Sequence, residues 1–226
     1  YQLDFSSDPT DREYGTQDQV RLDIGTQISK VYSLKHYQAD SAATPLIETG
    51  QFPRKIVTDV VPPMILYRGY PKTQDITTDY RLPAGAPVMS YVEPKPTLQW
   101  QVKPEKREIL GHSCQRAEVS FGGRQWIAWF TSEIPLSEGP YKFGGLPGLI
   151  LEVADSEGDY RYTCIGIANL SAGENIVRWK WNQRPTTRKE LEKIIVQLYA
   201  NPEQAIKALG GRMGFKGDPM LNLPYN

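Results

Sequence analysis

The chain has 226 residues, with 26 Lys plus Arg against 26 Asp plus Glu, and it is 39% hydrophobic, 23% charged and 11% aromatic. The zero balance and the lack of any Lys/Arg run exclude the electrostatic footprint of a nucleic-acid binder. The composition excludes a disordered chain, and no apolar stretch reaches the ~18 residues of a membrane-spanning helix.

The length suits one domain over residues 1–226. Its first 20 residues are polar and aperiodic, with no basic n-region and no apolar h-region. They are expected to be extended or poorly ordered, and an exported form is expected to have lost its signal already. Apolar or β-branched runs follow at 28–37, 56–60, 63–70, 108–121, 125–131, 148–154, 160–168 and 176–181. Turn clusters such as Leu82-Pro83-Ala84-Gly85 and Ser156-Glu157-Gly158-Asp159 separate them, so they read as strands.

Within 109–121, Ile109, Ala117, Val119 and Phe121 share one parity, and His112, Arg116 and Glu118 the other. That pattern predicts a half-buried strand with one wet face. Trp126–Phe130 and Leu149–Leu151 are apolar on both parities, so both of their faces should be covered. A strongly curved sheet with something packed inside it meets that demand.

The C-terminal region supplies a candidate filler. Thr187-Arg188-Lys189-Glu190 spells a capping box, and Leu191, Ile194, Ile195 and Leu198 then follow i, i+3, i+4, i+7 spacing. A second short helix is expected from Asn201-Pro202 to Gly210-Gly211. The fold class is therefore mainly β with some α: a single strongly curved antiparallel sheet, or open half-barrel, packed against C-terminal helices.

Chemistry is sparse. Cys114 and Cys164 have no C-x-x-C spacing and, with only two histidines in the chain, give no zinc pattern. They are compatible with one disulfide or with two inert core thiols. His112 and Cys114 share a strand face without an obvious orienter, which favours a structural cysteine over a nucleophile. Asp155, Glu157 and Asp159 lack the spacing of a calcium loop and read as a solvated hairpin turn with Gly158 at positive φ. The glycines at 122–123 and 144–148 open no helix, which disfavours a phosphate cradle. No catalytic, cofactor-binding or metal-ligating residue is expected.

Aromatic residues are the notable surplus. Trp100, Trp126, Trp129, Trp179 and Trp181 accompany 13 Tyr. They can line a cavity for an apolar or sugar ligand, or serve as core and cross-strand pairs.

The string FGGRQWIAWFTSEIPLSEGPYKFGGLPGLI at 121–150 resembles the signature of the GLPGLI family, named for the six residues here at Gly145–Ile150. LDIGTQISKVYS (22–33), the Tyr-x-Gly-Tyr-Pro segment (67–71), YVEPKPTLQW (91–100) and ILGHSCQRAEVSF (109–121) are similar to family blocks in family order. The likeness extends through the TTRKELEK and Asn-Pro helix starts, over roughly residues 20–210. It implies an exported protein of the periplasm or cell envelope in one bacterial phylum, of uncharacterised role. Some members sit beside genes of TonB-dependent outer-membrane transporters. The resemblance matches Cys114 to the family's cysteine and brings no catalytic residue. Asp40-Ser41-Ala42 is similar to O-glycosylation acceptors of that phylum, with Ser41 as the acceptor; a plain loop is the other reading.

Physically, Gly139-Pro140, Gly144-Gly145 and Pro147-Gly148 make a rigid entry into a buried strand, either a folding corner or a binding lip. Arg124, Tyr141 and Lys142 should lie near it. The expectation is a non-enzymatic envelope protein, not membrane-spanning, that binds an apolar ligand or a protein partner through Trp100, Arg124, Trp126, Trp129, Tyr141 and Lys142. The alternatives are an accessory protein of an outer-membrane transporter and an envelope hydrolase with no recognisable linear motif.

Overall fold

The computed structural model describes residues 1–6, 15–49, 63–82, 86–169, 175–178 and 181–210. The elements run β1 (Gln2–Phe5), β2 (Thr16–Ile24), β3 (Ser29–Ser33), α1 (Leu34–Glu48), β4 (Met64–Arg68), β5 (Asp75–Tyr80), β6 (Val88–Pro94) and β7 (Gln101–Ile109). Then come β8 (His112–Phe121), β9 (Arg124–Thr131), β10 (Leu149–Asp155), β11 (Tyr160–Thr163), β12 (Gln183–Pro185), α2 (Arg188–Ala200) and α3 (Pro202–Ala208). All the strands form one mixed sheet in the order β12-β6-β5-β4-β3-β2-β1-β11-β10-β9-β8-β7. Among the described strands, only the β12–β6 margin is parallel.

Chain connectivity forces this sheet to roll. β6 and β7 lie ten strand spacings apart, about 48 Å if flat. Yet Pro94 and Gln101 are joined by only six residues, which reach at most ~25 Å. The sheet is therefore strongly curved and not closed, as its pattern predicts.

The described parts of the polar N-terminal stretch, 2–5 and 16–20, are strands and not a loose tail. β1 pairs with both β2 and β11 in the middle of the sheet, with Leu3 and Val20 buried and Gln17 and Gln19 outside. The run at 108–121 is not one strand. Leu110 and Gly111, at φ 52° and 78°, make a two-residue turn that ends β7 at Ile109 and starts β8 at His112. In β9, Trp126, Ala128 and Phe130 are buried while Ile127 and Trp129 are only half-buried, so one face is covered less than expected. β10 is covered on both faces, with Leu149, Ile150 and Leu151 all buried. No strand forms over the described part of 175–182, and the expected strand at 56–60 lies outside the described residues.

Thr187 caps α2 as its sequence demands, accepting the Glu190 amide while the Glu190 side chain accepts the Thr187 N–H. Leu191 is buried against Tyr80, Leu82, Met89 and Tyr91, with Ile194, Ile195 and Leu198 packed around it. α2 thus covers the β5–β6 margin of the same face that Leu66 and Arg68 present to the core. The principal core has a different filler: Phe143, Leu146 and Ile150, from the loop after β9 and the start of β10, pack with Leu3, Val20, Val31, Leu66, Val119 and Trp126.

Candidate functional site

Residues 132–148 leave the sheet after Thr131, fold into the concave side and return at Leu149. Phe143 is completely buried, with ring centroids 4.7 Å from Trp126, 5.9 Å from Phe121, 6.1 Å from Tyr141 and 6.3 Å from Trp100. Burial of such a ring is worth ~3 kcal/mol, and each ring pair adds ~1 kcal/mol.

A loop buried this deeply must find donors for its carbonyls. The opposite wall provides them: Arg68 of β4, 2% exposed, donates to Phe143 O at 2.6 Å and Gly139 O at 2.8 Å. The same guanidinium donates to Ser29 Oγ at 3.0 Å and pairs with Glu138 at 2.6 Å. Trp100 Nε1 donates to Gly144 O at 2.8 Å. Burial lowers the Arg68 pKa, and the Glu138 charge opposes that shift.

The glycines of the signature follow from this path. Gly145 sits at φ 88°, which a side chain would strain, and a Cβ on Gly148 would be driven into the Thr131 carbonyl. Gly and Pro here serve a folded corner that plugs the half-barrel.

The six residues expected to gather for binding divide. Trp100, Trp126 and Tyr141 converge on Phe143, and Trp126 Nε1 donates to Phe121 O at 2.9 Å. Trp129 faces the other side of the sheet, under the Arg107 guanidinium at 4.2 Å. Lys142 is buried in an ion pair with Glu93. Arg124 stands at the β8–β9 hairpin, 2.5 Å from Asp155, 2.8 Å from Asp159 and 4.9 Å from the Tyr160 ring centre. Hydrogen bonds to Asp159 and then Asp155 favour its charged form. The acidic turn is therefore not simply solvated. Asp155 and Asp159 are buried around Arg124, and of the three acids only Glu157 is exposed, while Gly158 does take positive φ.

The space beside Tyr141, lined by Val20, Val31, Leu66 and Tyr162 among others, is about 10 Å³. That is room for a single water, against the ~300 Å³ of a small-molecule pocket.

The two thiols are free and buried. They share a hydrophobic cluster with Leu149 and Leu151, but β9 and β10 lie between β8, which carries Cys114, and the end of β11, where Cys164 follows Thr163. Three strand spacings put their Cα atoms roughly 14 Å apart, twice the reach of a disulfide. This register removes the bridge and leaves the inert-thiol reading. Burial pushes the Cys114 thiol up to about 11, which makes it a poor nucleophile. His112 does have an orienter, contrary to the sequence reading: Glu133 Oε2 lies 2.7 Å from its Nδ1, and Glu133 Oε1 accepts the Ser113 N–H at 3.0 Å. Glu133 lies 21 residues from His112, on a loop that only folding brings to the hairpin.

Ser41 is exposed on α1, not in a loop. The Ala and Gln of its segment are helix formers, and the helix turns Tyr37 and Asp40 onto the sheet.

A second cluster, on the opposite face of β3–β6, was not anticipated. Lys30 is 4% exposed, with its ammonium 4.6, 5.4 and 5.6 Å from the ring centres of Tyr32, Tyr37 and Tyr67. Asp79 accepts two hydrogen bonds from Arg178 at 2.8 and 2.6 Å, Arg81 pairs with Asp40 at 2.7 Å, and Arg81 stacks on Trp181 at 4.2 Å. Trp179 lies outside the described residues. Desolvation lowers the Lys30 pKa and raises those of Tyr32 and Tyr67. The available signal is a charge inside two of the short apolar runs, Lys30 in 28–37 and Arg68 in 63–70, which must be paired inside. Among the described residues, no three His, Cys, Asp or Glu side chains gather as metal ligands.

A family model described as a protein of unknown function (Porph_ging), a domain found in Bacteroidetes, matches residues 122–152. The match spans all of β9, the plug loop and the first part of β10. No curated protein matches the chain. Two solved structures of PNGF-II, in C2 and P21 space groups, are similar at TM-scores of 0.53 and 0.54, each with 12% identity. In both, 87% of this chain is covered but only 32% of PNGF-II, so the chain spans about a third of that protein's length and the likeness is one of fold.

Proposed function

We propose that the chain is a non-enzymatic module of the bacterial cell envelope, belonging to the GLPGLI family. It acts through its surface on an envelope protein and does not enclose a ligand. One observation carries the reading: the concavity where a carrier would hold its cargo is occupied by the protein's own loop, clamped by Arg68 and Trp100. The prominent charged groups are likewise held by fixed partners, as Arg124 is by Asp155 and Asp159 and Arg178 by Asp79. Such groups stabilise a scaffold and are not poised to move protons. An outer-membrane transporter is one partner of the right location.

The test is a native mass spectrum of the protein released from its own envelope, combined with photo-crosslinking from exposed positions in living cells. The expected result is the bare polypeptide mass and crosslinks to one recurrent envelope protein. A stoichiometric small molecule on the released protein would overturn the surface reading. A hydrolytic activity abolished by His112→Gln would overturn the non-enzymatic one.

A further inference from the structure

The two ends of the sheet differ in the turns they carry. At one end the β8–β9 and β10–β11 hairpins turn on Gly122, Gly123 and Gly158, with Arg124 and its acids beside them. The other end carries Ile24 at the close of β2, Leu110 in the β7–β8 turn, Leu136 in the loop after β9, and Ile165 and Ile167 beyond β11. Register places all five at this end. Ile109 faces His112, Thr131 faces Leu149, and Cys164 N–H donates to Leu151 O. Gln2 pairs with both Thr163 and Gln19, and β2 then runs on to Ile24. These five, between 36% and 53% exposed, are half of the ten large hydrophobics that stand exposed among the described residues. That is a concentration and not the usual scatter.

Leu110 is the sharpest of them. Its φ of 52° belongs to a turn position that favours Asn, Asp or Gly, so a leucine there is strained. At 48% exposure it gains little core contact to offset that strain. A strained, exposed leucine at a hairpin tip is an outlier whose own packing does not offset the strain.

We propose that this rim is a shallow insertion surface for a lipid bilayer. The five are Ile and Leu, and Val177 stands exposed beside them, next to Ile176 against Gly25; all are aliphatic, whereas protein hot spots are built on Trp, Tyr and Arg. Four separate segments deliver them to one end. The charge between Leu110 and Leu136 is already engaged, since Glu133 is held by His112 and the Ser113 amide. With a net charge of zero the chain has no general attraction to an anionic leaflet, so apolar transfer must drive the contact. No helix of the described chain is long and apolar enough to cross a membrane. The inference goes beyond the surface-acting reading, because it says where the module stands whichever protein it meets.

The test is flotation with phosphatidylcholine vesicles, with and without added phosphatidylglycerol, at low and high salt. Leu110→Asn removes the aliphatic chain while supplying a residue at home at positive φ. The double variant Ile165→Ser, Ile167→Ser removes a second segment. The wild type should float with both vesicle types independently of salt. Leu110→Asn should weaken partitioning about fivefold with an unchanged or higher melting temperature, and the triple variant should weaken it further. Failure to float with either vesicle, equal flotation of all variants, or flotation abolished by salt would each overturn the proposal. If vesicles are not bound and the variants instead lose a crosslinked envelope protein, the rim is a protein interface and the lipid assignment falls.

Discussion

His36 and Asp40 stand four residues apart on α1, 8% and 5% exposed, and both meet the charge of Arg81. Burial first, and Arg81 second, push His36 from 6.5 down to about 4. Burial lifts Asp40 from 3.8 to about 6, with Arg81 and Lys30 opposing. The two displacements act on stability with opposite signs. Below pH 6.5 the unfolded chain protonates its histidine first, so folding loses stability as pH falls toward 4. Below pH 6 the folded chain protonates Asp40 first, so folding gains stability down to 3.8. Between pH 7 and 4.5 each contributes about 2 kcal/mol, and the pair nearly cancels. Replacing one member should unmask the other. Urea unfolding at a series of pH values, plotted as variant minus wild type, isolates each group from the remaining titrations. His36→Gln should gain about 2 kcal/mol relative to wild type on going from pH 7 to 4.5, and Asp40→Asn should lose about as much over the same interval. Difference curves that stay flat across this window, or that slope the same way for both variants, would refute the reasoning.

Three further outcomes are expected. Arg68→Ala strips the donors from two buried carbonyls and leaves Glu138 without its ion pair, so urea unfolding should show a loss of about 3 kcal/mol or more, with faster hydrogen exchange at 137–146. A loss under about 1 kcal/mol would mean that the loop holds itself. Gly148→Ala should abolish soluble folded protein, because its Cβ meets the Thr131 carbonyl. Gly158→Ala, at φ 80° with open space around it, should cost only about 1 kcal/mol by thermal melting. Cys114 and Cys164 should resist a thiol reagent in the native protein and react together in denaturant. A non-reducing intact mass two protons short would contradict the register that separates them.

Much of the architecture follows from local patterns in this sequence. The Thr187–Glu190 capping box and the Leu191–Leu198 stripe specify α2 because capping and helical periodicity are short-range. The apolar parities of Leu149–Leu151 require a strand covered on both faces, and enough such strands with one short crossover require a rolled sheet. What covers those faces is set by long-range packing, which periodicity does not encode. α2 reads as the interior element and covers the β5–β6 part of that face, but the plug loop fills the middle of it, where the buried Phe143 and Gly139 carbonyls are satisfied by Arg68, more than 70 residues away. The aromatic residues grouped by type in the sequence divide between two faces because side chains alternate along a strand, which sends Trp126 inward and Trp129 outward. His112 and Glu133, Lys30 and its tyrosines, and the rim of exposed aliphatics meet only after strand register is set. The residues alone mark the core strands β8 to β11 and the starts of α2 and α3, because their signals are local; the rolled sheet decides which segments pair, turns 34–48 into α1, and sets which side chains share a face, an ion pair or an end, since each depends on contacts between segments far apart in the chain.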